Sequence, residues 1–153
     1  MKLKELMAGV SKKLGVEIPV ENNVCMMEAD GIAISLLQVD EVASILITAE
    51  IGAAPERGLE NLLSAMLSAN HHFIGTAGAT ISRDPKTGRF HLCRVEHCAN
   101  LSVDRLLAVL ESFINTLETW QAVLVQYENT GAVDAGTPED TEIRTMGNNF
   151  LRI

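Results

Sequence analysis

The sequence predicts an α+β domain with elements in the order α-β-β-β-α-β-β-α, a twisted antiparallel sheet packed with helices. Three segments repeat apolar residues at helical spacing, and the segments between them alternate apolar and polar residues as strands do. Turn residues separate the strands within each group. With 153 residues, of which 47% are hydrophobic, the chain suits a single domain with one buried core.

The first helix is predicted from an apolar stripe that polar residues flank. Gly15 is a residue type that ends helices, and it follows the stripe directly. Lys and Glu residues occupy most of the remaining positions, so one side of this helix faces a buried surface. The stripe consists of Leu3, Leu6, Met7, Val10 and Leu14.

Three strands are predicted next, over residues 23–28, 31–39 and 42–51. Turn residues join them at positions 29–31 and 40–41. In the third strand Ile45 and Ile47 alternate with Leu46, so Leu46 is expected on the face opposite the core. The first two strands carry adjacent apolar pairs, which place apolar groups on both faces of the sheet; the pairs are Met26 with Met27 and Leu36 with Leu37. We therefore expect helices to cover one face and a partner chain to cover the other.

The second half of the chain begins with a second amphipathic helix, which Asn70 ends. Gly75 and Gly78 then interrupt the periodicity, and a hairpin follows over residues 79–95, with the turn sequence Asp-Pro-Lys-Thr-Gly at its centre. Ser102 is suited to cap a long third helix that persists to about Tyr127. The second-helix stripe is Leu59, Leu62, Leu63, Met66 and Leu67.

Charge and cysteine content exclude several classes of partner. The formal net charge is −8, and the chain has no basic stripe with interleaved aromatic residues, which argues against nucleic acid as the main partner. No apolar run is long enough for a secretory signal or a transmembrane span, so we expect a cytoplasmic protein without membrane insertion. Three cysteines at irregular spacing fit reduced thiols better than a disulfide framework.

The order of elements in the second half resembles a known family. A helix with the sequence LLSAMLSAN, a Gly-containing connection, a hairpin with a D-P-x-T-G turn and a long helix carrying Trp120 follow one another. This pattern is similar to that of the small acidic effector chaperones of type III secretion, the group that includes the Tir chaperone. The resemblance covers roughly residues 1–127, and we expect these to form one domain. The acidic segment 128–153, which ends in the sequence FLRI, is expected to be a mobile tail.

The resemblance implies a non-catalytic bacterial protein that acts in the cytoplasm as a homodimer without a cofactor. Such a chaperone holds the N-terminal chaperone-binding segment of one or more effectors in extended form and keeps them stable for export, with the export-apparatus ATPase as a further candidate partner. By the position of each element, the implied effector-binding residues are Leu3, Leu6, Met7, Val10, Met26 and Leu46. The implied dimer-interface residues are Leu62, Met66, Ser68, Ala79, Thr80 and Ile81.

Two other classes of function stay open on sequence grounds. The first is a small cytosolic enzyme that uses Cys93 with His91 or His97, with or without zinc, since these residue types act as nucleophiles, bases and metal ligands. The spacing matches no established zinc motif, so packed or surface side chains are the preferred interpretation and no metal is expected. The second is an interaction scaffold of related fold with no role in secretion.

Overall fold

The computed structural model describes residues 2–130, which form six antiparallel strands and three α-helices. The helices are α1 (Leu3–Leu14), α2 (Leu59–Asn70) and α3 (Val103–Thr130). The strands are β1 (Val20–Glu21), β2 (Val24–Ala29), β3 (Ile32–Val39), β4 (Ser44–Gly52), β5 (Thr80–Arg83) and β6 (Phe90–His97). They lie in one sheet in the order β1-β2-β3-β4-β6-β5. The predicted α+β class is confirmed, and the two-residue strand β1 is an addition to the predicted order.

Two tight hairpins explain the first part of the sheet. Asn22 and Asn23 connect β1 to β2 with φ values of 49° and 63°, and Asp30 and Gly31 connect β2 to β3 with φ values of 52° and 79°. Positive φ at both central residues is the geometry whose twist matches that of antiparallel strands. Pro19 precedes β1, and because it has no N–H it cannot extend the pairing with β2. This strand was too short to give an alternation signal.

The third predicted strand starts two residues later than expected. The segment Asp40–Val42 forms a short 3-10 helix, and Ala43 ends it with a φ of 46°. The strand then begins at Ser44, whose hydroxyl donates to the carbonyl of Val42. The alternation predicted for it is confirmed, because Ile45 and Ile47 are fully buried and Leu46 lies on the other face.

One face of the sheet forms the core together with the three helices. Fully buried side chains on this face include those of Cys25, Ile34, Leu36, Ile45, Ile47 and Leu92. Helix α3 packs against β4, where Gly52 lies so close to Leu124 that a Cβ at Gly52 would be 2.5 Å from a Leu124 methyl carbon. Helix α1 packs against the start of α3, and Gly9 allows a similarly close approach to Val103.

The Gly-containing connection between α2 and β5 is held by two side chains from distant elements. The indole N–H of Trp120 on α3 donates to the Gly75 carbonyl at 2.9 Å. The guanidinium of Arg94 on β6 donates to the Ala77 carbonyl at 2.9 Å and forms an ion pair with Glu96 at 2.7 Å. The connection is therefore a structural turn braced by the sheet and by α3.

Helix α3 runs to Thr130, and the remainder of the predicted tail, residues 131–153 with the FLRI end, lies outside the described residues. None of the helices in the described part of the chain is both long enough and apolar enough to cross a membrane.

Candidate functional site

The face of the sheet opposite the helices carries a continuous row of apolar side chains. Val24 pairs with Leu37, Leu37 pairs with Leu46, and Leu46 pairs with Val95, so the four residues lie side by side across β2, β3, β4 and β6. Neighbouring strands in a sheet are about 4.8 Å apart, so the row extends over roughly 14 Å. We call these four residues the apolar row.

The apolar row lies on an accessible surface. Val95 is 59% exposed, and Val24, Leu37 and Leu46 are partly exposed. Exposed apolar groups that adjoin one another mark a binding surface far more often than scattered single ones do.

A second row lies beside the first and consists of one methionine followed by smaller, more polar side chains. It starts at Met26, which is 64% exposed, and continues through the paired residues Ser35, Thr48 and Cys93. Thr48 and Ser82 hydroxyls lie 3.5 Å and 3.4 Å from the Cys93 sulfur. The short side chains of this row leave space beside the larger side chains of the apolar row. Met26, at the end of the row, has a flexible thioether side chain that can adapt to different binding partners.

An ion pair forms one boundary of this surface. Arg89 contacts the carboxylate of Glu50 on β4, and this contact holds the pKa of Glu50 below its ordinary value and raises the pKa of Arg89. Both side chains are 43% exposed, so solvent screens the pair and its contribution to stability is small.

The β2 edge of the sheet is open next to Met26. The N–H of Gln38 donates to the Asn23 carbonyl, and by the alternation of antiparallel pairing Cys25 and Met27 also bond to β3 while Met26 and Glu28 direct their backbone groups away from it. Strand β1 pairs only with Val24 and Cys25. Within residues 2–130 the outward backbone groups of Met26 and Glu28 therefore have no strand partner, which is the arrangement that accepts an added strand.

Only two of the six residues predicted for effector binding lie on this surface, Met26 and Leu46. The other four, Leu3, Leu6, Met7 and Val10, have no exposed surface. The prediction for these four is corrected: α1 uses its apolar stripe against the core of its own chain. Periodicity alone identifies a buried face but does not say whether the same chain or a partner buries it.

The residues predicted for the dimer interface divide into two groups. Leu62, Met66, Ala79 and Ile81 are buried within the chain, so their side chains are already used in the core. Ser68 and Thr80 are exposed. The large exposed groups nearby are Leu67 on α2, which is 70% exposed, and Phe73 in the connection, which is 50% exposed. Leu67 belongs to the predicted helical stripe, but its outward position depends on how α2 is rotated against the sheet.

Two of the residues considered for an enzyme or zinc site, Cys93 and His97, lie against hydroxyl groups. His91, Cys93 and His97 share the outer face of β6, but the His97 ring nitrogen lies 3.0 Å from the Ser44 hydroxyl and Cys93 contacts hydroxyls. In the described part of the chain, no group of three or more His, Cys, Asp or Glu residues could hold a metal ion. Burial raises the pKa of the Cys25 thiol, which favours the protonated, unreactive form.

Comparison with known proteins gives one family match, to the Tir chaperone protein (CesT) family over residues 5–121. No curated protein matches the chain.

Solved structures with the same fold include chains from three complexes. A chain of the ExsC-ExsE complex is 20% identical, with a TM-score of 0.67, and the match covers 81% of this chain and 97% of that one. A chain of the HopA1-SchA chaperone-effector complex is 20% identical, with a TM-score of 0.66 and coverage of 78% and 92%. A chain of the heterodimeric ExoU-SpcU complex from the type III secretion system of Pseudomonas aeruginosa is 17% identical, with a TM-score of 0.63 and coverage of 80% and 97%.

Proposed function

This chain belongs to the Tir chaperone protein family, and we propose that it is a non-catalytic type III secretion chaperone that binds the N-terminal region of one or more secreted effectors. The observation that carries this proposal is the apolar row beside an open strand edge. A surface of this kind suits a segment of another protein better than a small molecule, because it is long and shallow. The name of one structural relative, a chaperone-effector complex, agrees with this class of partner.

The bound segment is in extended form and makes two kinds of contact. Its backbone adds to the β2 edge through the outward N–H and C=O groups of Met26 and Glu28. Its apolar side chains reach the surface formed by Met26 and the apolar row. Backbone hydrogen bonds supply affinity for many sequences and side-chain contacts supply selectivity, which suits a chaperone that serves more than one effector. Holding the segment in this form keeps the effector stable and competent for export.

The chaperone acts as a homodimer in the bacterial cytoplasm and needs no cofactor. The dimer contact is proposed at the exposed side of α2, where Leu67 and Ser68 lie, together with Thr80 on β5. Leu67 supplies the apolar group that a symmetric contact needs. The export-apparatus ATPase remains a proposed further partner, to which the chaperone delivers its effector.

Co-purification with a matched pair of variants tests the proposal. The chain is expressed together with the N-terminal region of a secreted effector from the same bacterium. We expect Val95→Glu to weaken effector binding by roughly tenfold or more, which corresponds to about 1.4 kcal/mol, because it places a charge within the apolar row.

Val125→Glu is the control, since Val125 on α3 is 54% exposed, nearly as much as Val95, and lies away from the row. Both variants should keep the wild-type melting temperature. Equal effector binding by the two variants would contradict the assignment of this surface.

The same experiment separates the chaperone from the thiol or zinc enzyme. Cys93→Ser and treatment with a metal chelator should leave effector binding and the melting temperature unchanged. Stoichiometric zinc in protein purified without added metal, or a reaction that disappears in Cys93→Ser, would favour the enzyme instead.

A further inference from the structure

The β5 edge of the sheet is closed by a side chain. Asn70, the last residue of α2, accepts a hydrogen bond from the N–H of Ile81 at 2.9 Å and donates one to the Ile81 carbonyl at 3.1 Å. Its amide group thus makes the same two bonds that a neighbouring strand would make at this position.

These two bonds lie on the side of β5 that faces away from β6. In the β5–β6 pair, Thr80 lies opposite Cys93 and Ser82 lies opposite His91. Since the backbone groups of Ile81 bond to Asn70, the alternation of antiparallel pairing assigns Thr80 and Ser82 to the bonds with β6. Ile81 is therefore the first of the two outward positions of β5, and Arg83 is the second.

The N–H of Ala79, the residue before β5, is also bonded within the chain, because it donates to the Thr76 carbonyl at 2.9 Å. Of the two outward positions of β5, Ile81 and Arg83, only Arg83 at its end is left without such a bond within residues 2–130. At the β2 edge, by contrast, the outward backbone groups of both Met26 and Glu28 have no strand partner within the described residues.

We propose that Asn70 closes the β5 edge to strand addition, so that an added strand can pair only at the β2 edge. An unpaired strand edge pairs readily with any extended chain, and native proteins protect such edges. By the proposed function the effector pairs with one edge of the sheet, so a chaperone cannot close both edges. The closure of β5 stands on the contacts of the chain itself, whereas the use of β2 by an effector rests on the proposed function.

Amide hydrogen exchange of the wild-type protein gives the first test. The Ile81 amide should be protected to a similar degree as those of Thr80 and Ser82, whereas the Met26 and Glu28 amides should exchange rapidly. An Ile81 amide that exchanges as fast as that of Glu28 would overturn the proposal.

Substitution of the amide group gives the second test. In Asn70→Ala the Ile81 amide should exchange roughly threefold to tenfold faster, the range expected for the loss of one ordinary hydrogen bond. The variant should also self-associate as its concentration rises, measured by light scattering, with exchange at Ile81 and Arg83 slowing again as edges of two molecules pair. Asn61→Ala, an exposed asparagine on the same helix, is the control and should behave as wild type.

Asn70→Asp keeps the proposal testable if the alanine variant does not fold. The carboxylate still accepts from the Ile81 N–H, but it cannot donate to the Ile81 carbonyl and repels it. We expect this variant to self-associate while the Ile81 amide stays protected. If folded Asn70→Asp and Asn70→Ala associate no more than wild type, the closure of the β5 edge is overturned. If a bound effector does not slow the exchange of the Met26 and Glu28 amides, only the use of the β2 edge by the effector is overturned.

Discussion

Arg89, the residue before β6, forms an ion pair with Glu50 on β4, although the two residues are 39 positions apart in the chain. The contact lowers the pKa of Glu50, so Glu50 binds its proton less readily in the folded protein than in the unfolded chain. Its contribution to stability is present above the ordinary glutamate pKa and is lost as the pH falls below about 4.

Arg89→Gln should therefore make stability less dependent on pH in the acid range, since Glu50 regains an ordinary pKa. The melting temperature of the variant should be slightly lower than that of wild type at pH 7, and the difference should shrink as the pH falls through the lowered pKa of Glu50. Lys86→Gln removes an equal charge from the neighbouring turn without touching Glu50 and is the control. Parallel melting curves for wild type and Arg89→Gln at every pH would contradict the assignment.

The first helix gives a prediction that separates core from surface. Leu6 is fully buried, so Leu6→Asp should unfold the domain, because an unpaired buried charge costs about 3–5 kcal/mol. Leu14 on the same helix is 52% exposed, and Leu14→Asp should change stability by only about 0.5 kcal/mol.

Circular dichroism and chemical denaturation compare both variants with Leu110→Asp in the core of α3, which should behave like Leu6→Asp. A Leu6→Asp variant that is folded but unable to bind an effector would instead place the apolar stripe of α1 at the effector-binding surface.

Proline at the β2 edge tests strand addition directly. The Glu28 N–H points away from β3, so Glu28→Pro removes a donor from the open edge while the β2–β3 bonds remain. We expect effector binding to fall by several-fold, from the loss of one hydrogen bond and the steric block of the ring. Glu28→Ala removes the same carboxylate but keeps the N–H, and it should bind as wild type. Isothermal titration with the effector's N-terminal region measures both, and equal loss in the two variants would instead assign the effect to the side chain.

The dimer is tested at Leu67. Light scattering of the wild-type protein should give twice 16.6 kDa at micromolar concentration, and Leu67→Glu should give 16.6 kDa without loss of helicity. Leu67 is 70% exposed in the single chain, so its substitution affects association rather than folding. Met66→Glu is a weaker test because Met66 is 3% exposed and its substitution damages the core as well. A wild-type protein that stays monomeric would refute the homodimer.

Local chemistry in the sequence predicts most of the fold. Gly15 ends α1 in the left-handed conformation expected of a glycine stop, and Asp30 with Gly31 forms the predicted tight turn. Patterns of this kind involve residues close together in the chain, so they can be recognised without knowledge of the tertiary structure. The short strand β1 and the delayed start of β4 depend on pairing and on a 3-10 helix that leave little trace in the sequence.

The candidate site was less predictable, because it depends on register between distant strands. Alternation predicts the outer face for Leu46, and the resemblance implies a binding role for Met26, yet Leu37 and Val95 join them only through the pairing of β3, β4 and β6. Asn70 was interpreted as a helix terminator, and its contact with Ile81 requires that α2 end beside β5. Sequence periodicity contains no information on either relationship.

The strand order also determines when each part of the sheet can form during synthesis. Strands β1, β2 and β3 pair only with strands next to them in the chain, and one side of β4 pairs with β3, so these four strands can assemble as soon as residue 52 has left the ribosome. The free side of β4, with Ile45 and Ile47, must then wait for β6, which begins 38 residues after β4 ends. During that interval the partial sheet has a second open edge at β4, and another extended chain could pair with this edge, which β6 covers in the finished protein.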